Sequence, residues 1–67
     1  MDNETVIRTL QHLIGTPYTP DVKATITELT GRERVVGPND IATHEFDLNR
    51  VRIVADADAI ITGFTFG

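Results

Sequence analysis

The sequence predicts a small α+β fold, with one main helix and three short strands, and three observations carry that expectation. A capped stretch of helical periodicity occupies residues 20–30, an alternating run opens at Arg50, and a second alternating run closes at Phe66. The 67 residues form one domain, 1–67, with no room for a second. A chain this short buries only about 60% of the surface its unfolded form exposes, so the core is thin. Without cysteine there is neither a disulfide nor a thiolate metal site, and packing alone must hold the fold.

Val6, Ile7, Leu10, Leu13 and Ile14 fall on one helical face, with Asp2 or Asn3 to cap the start and Gly15 to end it. Thr16-Pro17-Tyr18 reads as a linker. In the main helix Thr19 is the expected N-cap, Pro20 fits the first position, and Asp21 complements the positive end of the dipole. Val22, Ile26 and Leu29 supply its apolar face, and Gly31 closes it. Arg34-Val35-Val36 is a short strand stopped by Gly37-Pro38. Residues 50–66 form an antiparallel hairpin around an Asp56-Ala57-Asp58 turn. Val51, Ile53 and Ala55 share one face of its first strand, and Arg50 and Arg52 share the other. On its second strand Ile60, Thr62, Phe64 and Phe66 share a face, with Gly63 as a candidate bulge.

Six Lys/Arg against ten Asp/Glu give a net charge of −4, which disfavours nucleic acid as a partner. No stretch approaches membrane-spanning length, and the acidic start lacks the pattern of a signal peptide. The chain as it stands reads as a soluble monomer, cytoplasmic or processed and secreted.

Between the first two strands lie twelve residues, Gly37 to Leu48, without helix or strand periodicity. A connection this long in so small a domain is functional or disordered, and Ile41, Ala42, Phe46 and Leu48 make it too apolar for disorder. In an extended segment Thr43 and Glu45 point the same way, opposite to His44. Arg50 and Arg52, two residues apart on the following strand, can offer guanidinium forks to that hydroxyl and carboxylate. The competing reading of both arginines is a solvated strand face. His44 has no second histidine at metal-ligand spacing, and the chain contains no serine to form a catalytic triad. No enzyme, metal or cofactor is therefore expected. His12 reads as a surface residue.

The stretch IATHEFDLNRVRIVADADAIITGFTFG resembles the C-terminal half of the potato inhibitor I family, which includes a barley chymotrypsin inhibitor and the leech inhibitor eglin. It is most similar to the bacterial and fungal elastase-inhibitor branch. The resemblance is good over residues 35–67 and weak before them. It implies a helix packed on a small mixed sheet, with a long exposed loop joining two parallel strands. It also implies a protease-binding loop of Ile41, Ala42, Thr43, His44, Glu45 and Phe46, with His44–Glu45 as the reactive bond. Thr43 and Glu45 would be braced by Arg50 and Arg52, joined by the carboxylate of Gly67. Two departures stand out: a histidine where the family carries an apolar or acidic residue, and Phe66 where the elastase-inhibitor branch often has cysteine.

The function implied is reversible, substrate-like inhibition of a serine protease. Subtilisin-like enzymes lead, with chymotrypsin- and elastase-like enzymes as further targets. The alternatives are a non-inhibitory protein-binding module of the same fold and, more remotely, a protease-folding helper.

Overall fold

The computed structural model describes residues 2–38, 40 and 47–67. Helix α1 spans Asn3–Leu10 and runs into a 3₁₀ turn, Gln11–Leu13. Helix α2 spans Asp21–Thr30, and the strands are β1 (Val35–Val36), β2 (Val51–Ala55) and β3 (Ile61–Phe66). The sheet order is β1-β2-β3, with β1 parallel to β2 and β2 antiparallel to β3. This is the expected α+β arrangement: one main helix on a small mixed sheet.

Asp2 caps α1, its carboxylate accepting the Thr5 N–H at 2.8 Å. Only Val6 and Leu10 of the predicted apolar face are fully buried; Ile7 and Ile14 are exposed. The α-helix gives way at Gln11 to the tighter 3₁₀ winding, so the 3.6-residue spacing does not carry through to Ile14.

In α2 the cap differs from expectation. Pro20 occupies the cap position with helical φ and ψ of −56° and −28°, and no side chain caps the helix. The Thr19 carbonyl, not its hydroxyl, takes the Val22 N–H at 3.0 Å. The ring fixes φ of Pro20 near the helical value, so helical geometry starts there. Val22 and Ile26 are buried as predicted, but Leu29 is 40% exposed and Thr30 is buried in its stead. The Thr30 hydroxyl donates to the Ile26 carbonyl at 2.7 Å and accepts from the Arg32 N–H at 3.2 Å, which makes that burial affordable. Gly31, at φ +72°, then ends the helix.

In β2, Val51 and Ile53 are buried and Arg52 and Val54 are exposed, as the alternation requires. β3 departs from it. Its buried residues are Ile61 and Phe64, while Thr62 is exposed and Ile60 half-buried before the strand. The register explains the change: Val54 faces Gly63 but Ala55 faces Ile61, leaving Thr62 as an extra residue. A bulge at Thr62 reverses the inward parity, so Ile61 reaches the core beside Phe64. Phe66 packs partly buried against the same core.

Thr16-Pro17-Tyr18 is more than a linker. Gly15 donates to the Ile61 carbonyl at 2.7 Å, Ile61 to Thr16 at 2.9 Å, and Tyr18 to Ala59 at 2.7 Å, with Pro17 bridged antiparallel to Ile60. This segment covers the edge where β3 begins. Val6, Leu10, Val22, Ile26, Val51, Ile53, Ile61 and Phe64 form the core between the helices and one sheet face.

The hairpin turn is organised by one carboxylate. Asp56 Oδ1 accepts the N–H groups of Asp58 at 2.9 Å and Ile60 at 3.0 Å, while Ala59 adopts φ +61°. Asp56→Ala removes the one oxygen that accepts both N–H groups and is expected to cost about 1–2 kcal/mol. Asp56→Asn keeps one acceptor oxygen and should recover most of that loss. Urea unfolding of the two variants checks the order; equal midpoints would remove the side chain from the account.

Candidate functional site

The candidate site is the connection between β1 and β2. Parallel neighbours cannot be joined by a tight turn, so the chain must cross back over a dozen or so residues before β2 can begin. The expectations for Ile41, Ala42, Thr43, His44, Glu45 and Phe46 lie outside the described residues. The described residues supply the two limbs on which that segment stands.

The incoming limb begins at Gly37, which is buried. Asp40 Oδ2 accepts the Gly37 N–H at 2.8 Å, and the Asp40 N–H returns a bond to the Gly37 carbonyl at 3.2 Å. The Tyr18 ring lies close over Gly37: a Cβ added there would sit 3.0 Å from Tyr18 Cζ and nearer still to the phenol oxygen. Glycine is therefore required by close approach. Lys23, in the first turn of α2, donates to the same Asp40 oxygen. That bond, helped by the Gly37 N–H, holds the Asp40 carboxyl below its ordinary range, and Asp40 in turn raises the Lys23 ammonium above its own. A lowered carboxyl pKa favours the tied state above the ordinary carboxylate range, and that gain is lost as pH falls through the lowered value. A raised lysine pKa favours it below the ordinary lysine range, and that gain is lost as pH rises through the raised value. The tie thus spans the neutral range.

The outgoing limb is held by more groups. Asp47 Oδ1 accepts the Asn49 N–H at 2.9 Å, and Asp47 Oδ2 pairs with Arg34 Nη1 at 3.0 Å. The Asp47 carbonyl takes the Arg50 N–H at 3.0 Å. From α1, Asn3 Nδ2 donates to the Leu48 carbonyl at 3.1 Å. Arg32 reaches the Asn49 carbonyl at 3.1 Å and Asn3 Oδ1 at 2.9 Å, with its guanidinium 5.9 Å from the Phe66 ring centre.

Arg50 and Arg52 differ in their surroundings. Arg50 is 7% exposed, and its Nε donates to the Gly67 carbonyl oxygen at 2.9 Å. The Gly67 N–H donates back to the Arg50 carbonyl at 3.3 Å, so the last residue of the strand and the guanidinium lock each other. Arg52 is exposed and lines a shallow depression with Gly37, Pro38, Asp40 and Thr65. The contacts expected between these arginines and Thr43 or Glu45 involve residues that are not described.

Sequence alone gave Arg32, Arg34, Asn3, Asp47, Lys23 and Asp40 no part in holding the loop, with Asn3 only a candidate helix cap and Arg34 only a strand residue. One signal was available: Arg32-x-Arg34 repeats the spacing of Arg50-x-Arg52. Their tertiary partners lie 13 to 45 residues away, beyond the reach of local pattern. His12 is exposed, its ring bonded to the Thr9 carbonyl at 3.0 Å. Among the described residues no group of three His, Asp or Glu side chains could hold a metal, and no helix is long and apolar enough to cross a membrane.

A helix on a three-stranded mixed sheet, with a long connection gripped at both ends, is the architecture of a protease-inhibitor fold, and comparison supports that class. Among solved structures the chain is similar to the elastase inhibitor AFUEI (crystal form II), with a TM-score of 0.62 and 29% sequence identity. The similarity covers 96% of this chain and 93% of that one. No protein-family model and no curated protein sequence matches.

Proposed function

We propose that this chain is a reversible, substrate-like serine-protease inhibitor of the potato inhibitor I type, directed at subtilisin-like enzymes, with His44–Glu45 as the reactive bond. The observation that carries the reading is the end-to-end similarity to an elastase inhibitor. The separate fastening of the two limbs adds to it.

The physical logic is that of a substrate already ordered. A flexible peptide loses conformational freedom when it enters a protease cleft, whereas a fastened loop has lost most of it on folding. In this reading Thr43 and Glu45 rest on Arg50 and Arg52, Ile41 and Ala42 line the non-primed side, and Phe46 the primed side. The protease serine attacks the His44 carbonyl, and the bond to the Glu45 nitrogen breaks to give an acyl-enzyme and a free amine. With Asp47, Leu48 and Asn49 held to Arg34, Asn3 and Arg32, that amine stays beside the ester. It attacks the acyl carbon, re-forms the peptide bond and returns the serine. Binding without net turnover is the result. A contact of about 800 Å² per partner is usual for such complexes and within reach of one loop and its flanks.

Titration against subtilisin, chymotrypsin and pancreatic elastase tests the proposal, followed by intact-mass analysis of each mixture. Stoichiometric loss of subtilisin activity with a minor clip between His44 and Glu45 is the expected result. Rapid complete digestion, or unaltered activity of all three enzymes, would favour the non-inhibitory binding module.

A further inference from the structure

We propose that Lys23 is a positioning residue for the non-primed limb: from α2 it holds Asp40, the residue immediately before Ile41, and so sets the direction in which the chain leaves the sheet. This rests on the inhibitor reading and extends it to a side chain outside the loop and its arginines.

The argument starts from the limb itself. Gly37 is pinned between the Tyr18 ring and Asp40, so the limb has a fixed root. Beyond that root, the two bonds between Gly37 and Asp40 close the chain on itself but do not fix its tilt from the sheet. Lys23 supplies the missing constraint. It lies 17 positions earlier, on an element whose neighbours Val22 and Ile26 are buried, so its attachment is as firm as the core. An ammonium in the first turn of a helix meets the unfavourable end of the helix dipole, so the dipole gives no reason for it there. The carboxylate of Asp40 compensates. The lowered Asp40 and raised Lys23 agree with a tie that persists at neutral pH.

Both side chains are more than a third exposed, at 37% and 42%. Pairs of this kind contribute little to global stability. The effect of the tie is therefore local, on a limb whose other described fastenings are the two Gly37–Asp40 bonds and the Tyr18 contact, and it should be read in binding and in loop cleavage.

The full chain is compared with Lys23→Met, Asp40→Asn, the double variant and Lys23→Arg. Asp40→Asn retains an oxygen for the Gly37 N–H while losing the charge, which separates the tie from the turn. Three quantities are measured: the dissociation constant for subtilisin, the rate at which thermolysin cuts residues 38–47, followed by mass, and the thermal midpoint. Lys23→Met and Asp40→Asn should each weaken binding about fivefold and speed cutting by a similar factor. Their midpoints should stay within about 2 °C of the parent. The double variant should be no worse than either single one, and Lys23→Arg should recover most of the loss.

Unchanged binding and unchanged cutting in Lys23→Met would overturn the proposal. So would a loss that follows a falling midpoint, since that would assign Lys23 to general stability. Should the parent chain fail to inhibit, the inhibitor reading falls, and the thermolysin rates alone decide: equal rates reject the tie, and faster cutting in both single variants sustains it.

Discussion

Under the proposed function, replacing Arg50 with alanine is expected to turn an inhibitor into a substrate. Arg50 is buried, its Nε donates to the Gly67 carbonyl oxygen, and its backbone is bonded to both Asp47 and Gly67. It therefore joins the outgoing limb to the end of β3. A hydrogen bond from a charged donor contributes about 1.5–3 kcal/mol, and removing this donor leaves a half-buried carbonyl oxygen without it. We expect a stability loss of about 2–3 kcal/mol and a rise of about 100-fold in the dissociation constant for the target protease. Arg50→Lys keeps the charge but offers one compact ammonium in place of a fork, and should remain impaired. The decisive measurement is the steady-state rate of cleavage at His44–Glu45, at a temperature where each variant is folded. A higher rate in Arg50→Ala assigns the guanidinium to the loop. A lower melting point with no gain in cleavage would leave Arg50 as a fold residue only.

The second large effect is expected far from the loop. Leu10 is fully buried at the end of α1, in the cluster that includes Val6, Ile26 and Ile61. Leucine-to-alanine changes at such sites cost about 2–5 kcal/mol. A domain of this size has a total stability of roughly 3–10 kcal/mol at the usual per-residue values. Leu10→Ala should therefore lower the thermal midpoint by at least about 8 °C, which follows from about 4–8 °C per kcal/mol in small domains. Circular dichroism melting checks it. A fall of less than about 4 °C would mean that α1 yields independently of the sheet. The functional corollary is that α1 carries Asn3, whose amide holds the Leu48 carbonyl. Loosening the helix should weaken the grip on the outgoing limb even while β2 and β3 remain paired.

The parts of this fold that could be read in advance were those written in short repeats. The Val22–Ile26 spacing and the Val51–Ile53 alternation both became core because each element buries one face, and periodicity reports that face directly. Reading failed where one residue changed the count. Thr62 bulges, so Ile61 is buried where simple alternation selects Ile60 and Thr62. It failed also where the backbone supplied what a side chain was expected to give, as at Thr19, and where Pro17 and Gly15 hid a paired edge. The fastening of the limbs was half visible. Arg50 could be singled out by its spacing from Arg52, and it proved buried. Arg32, Arg34 and Lys23 could not, since their partners meet them only after the helices and strands assemble.

The parallel pairing of β1 and β2 has a mechanical result. Val35 lies beside Val51 and Val36 beside Arg52, so Gly37 departs past one end of the pair while Asn49 arrives at the other. The two roots are thus staggered along the strand axis and held by different side chains: Lys23 and Tyr18 for one, Asn3, Arg32 and Arg34 for the other. Pulling on one severed end would not peel the other away, because the described residues that root them sit at opposite ends of the β1–β2 pair. Separation would need the sheet itself to come apart. A nicked molecule should for that reason migrate as a single species until it is denatured.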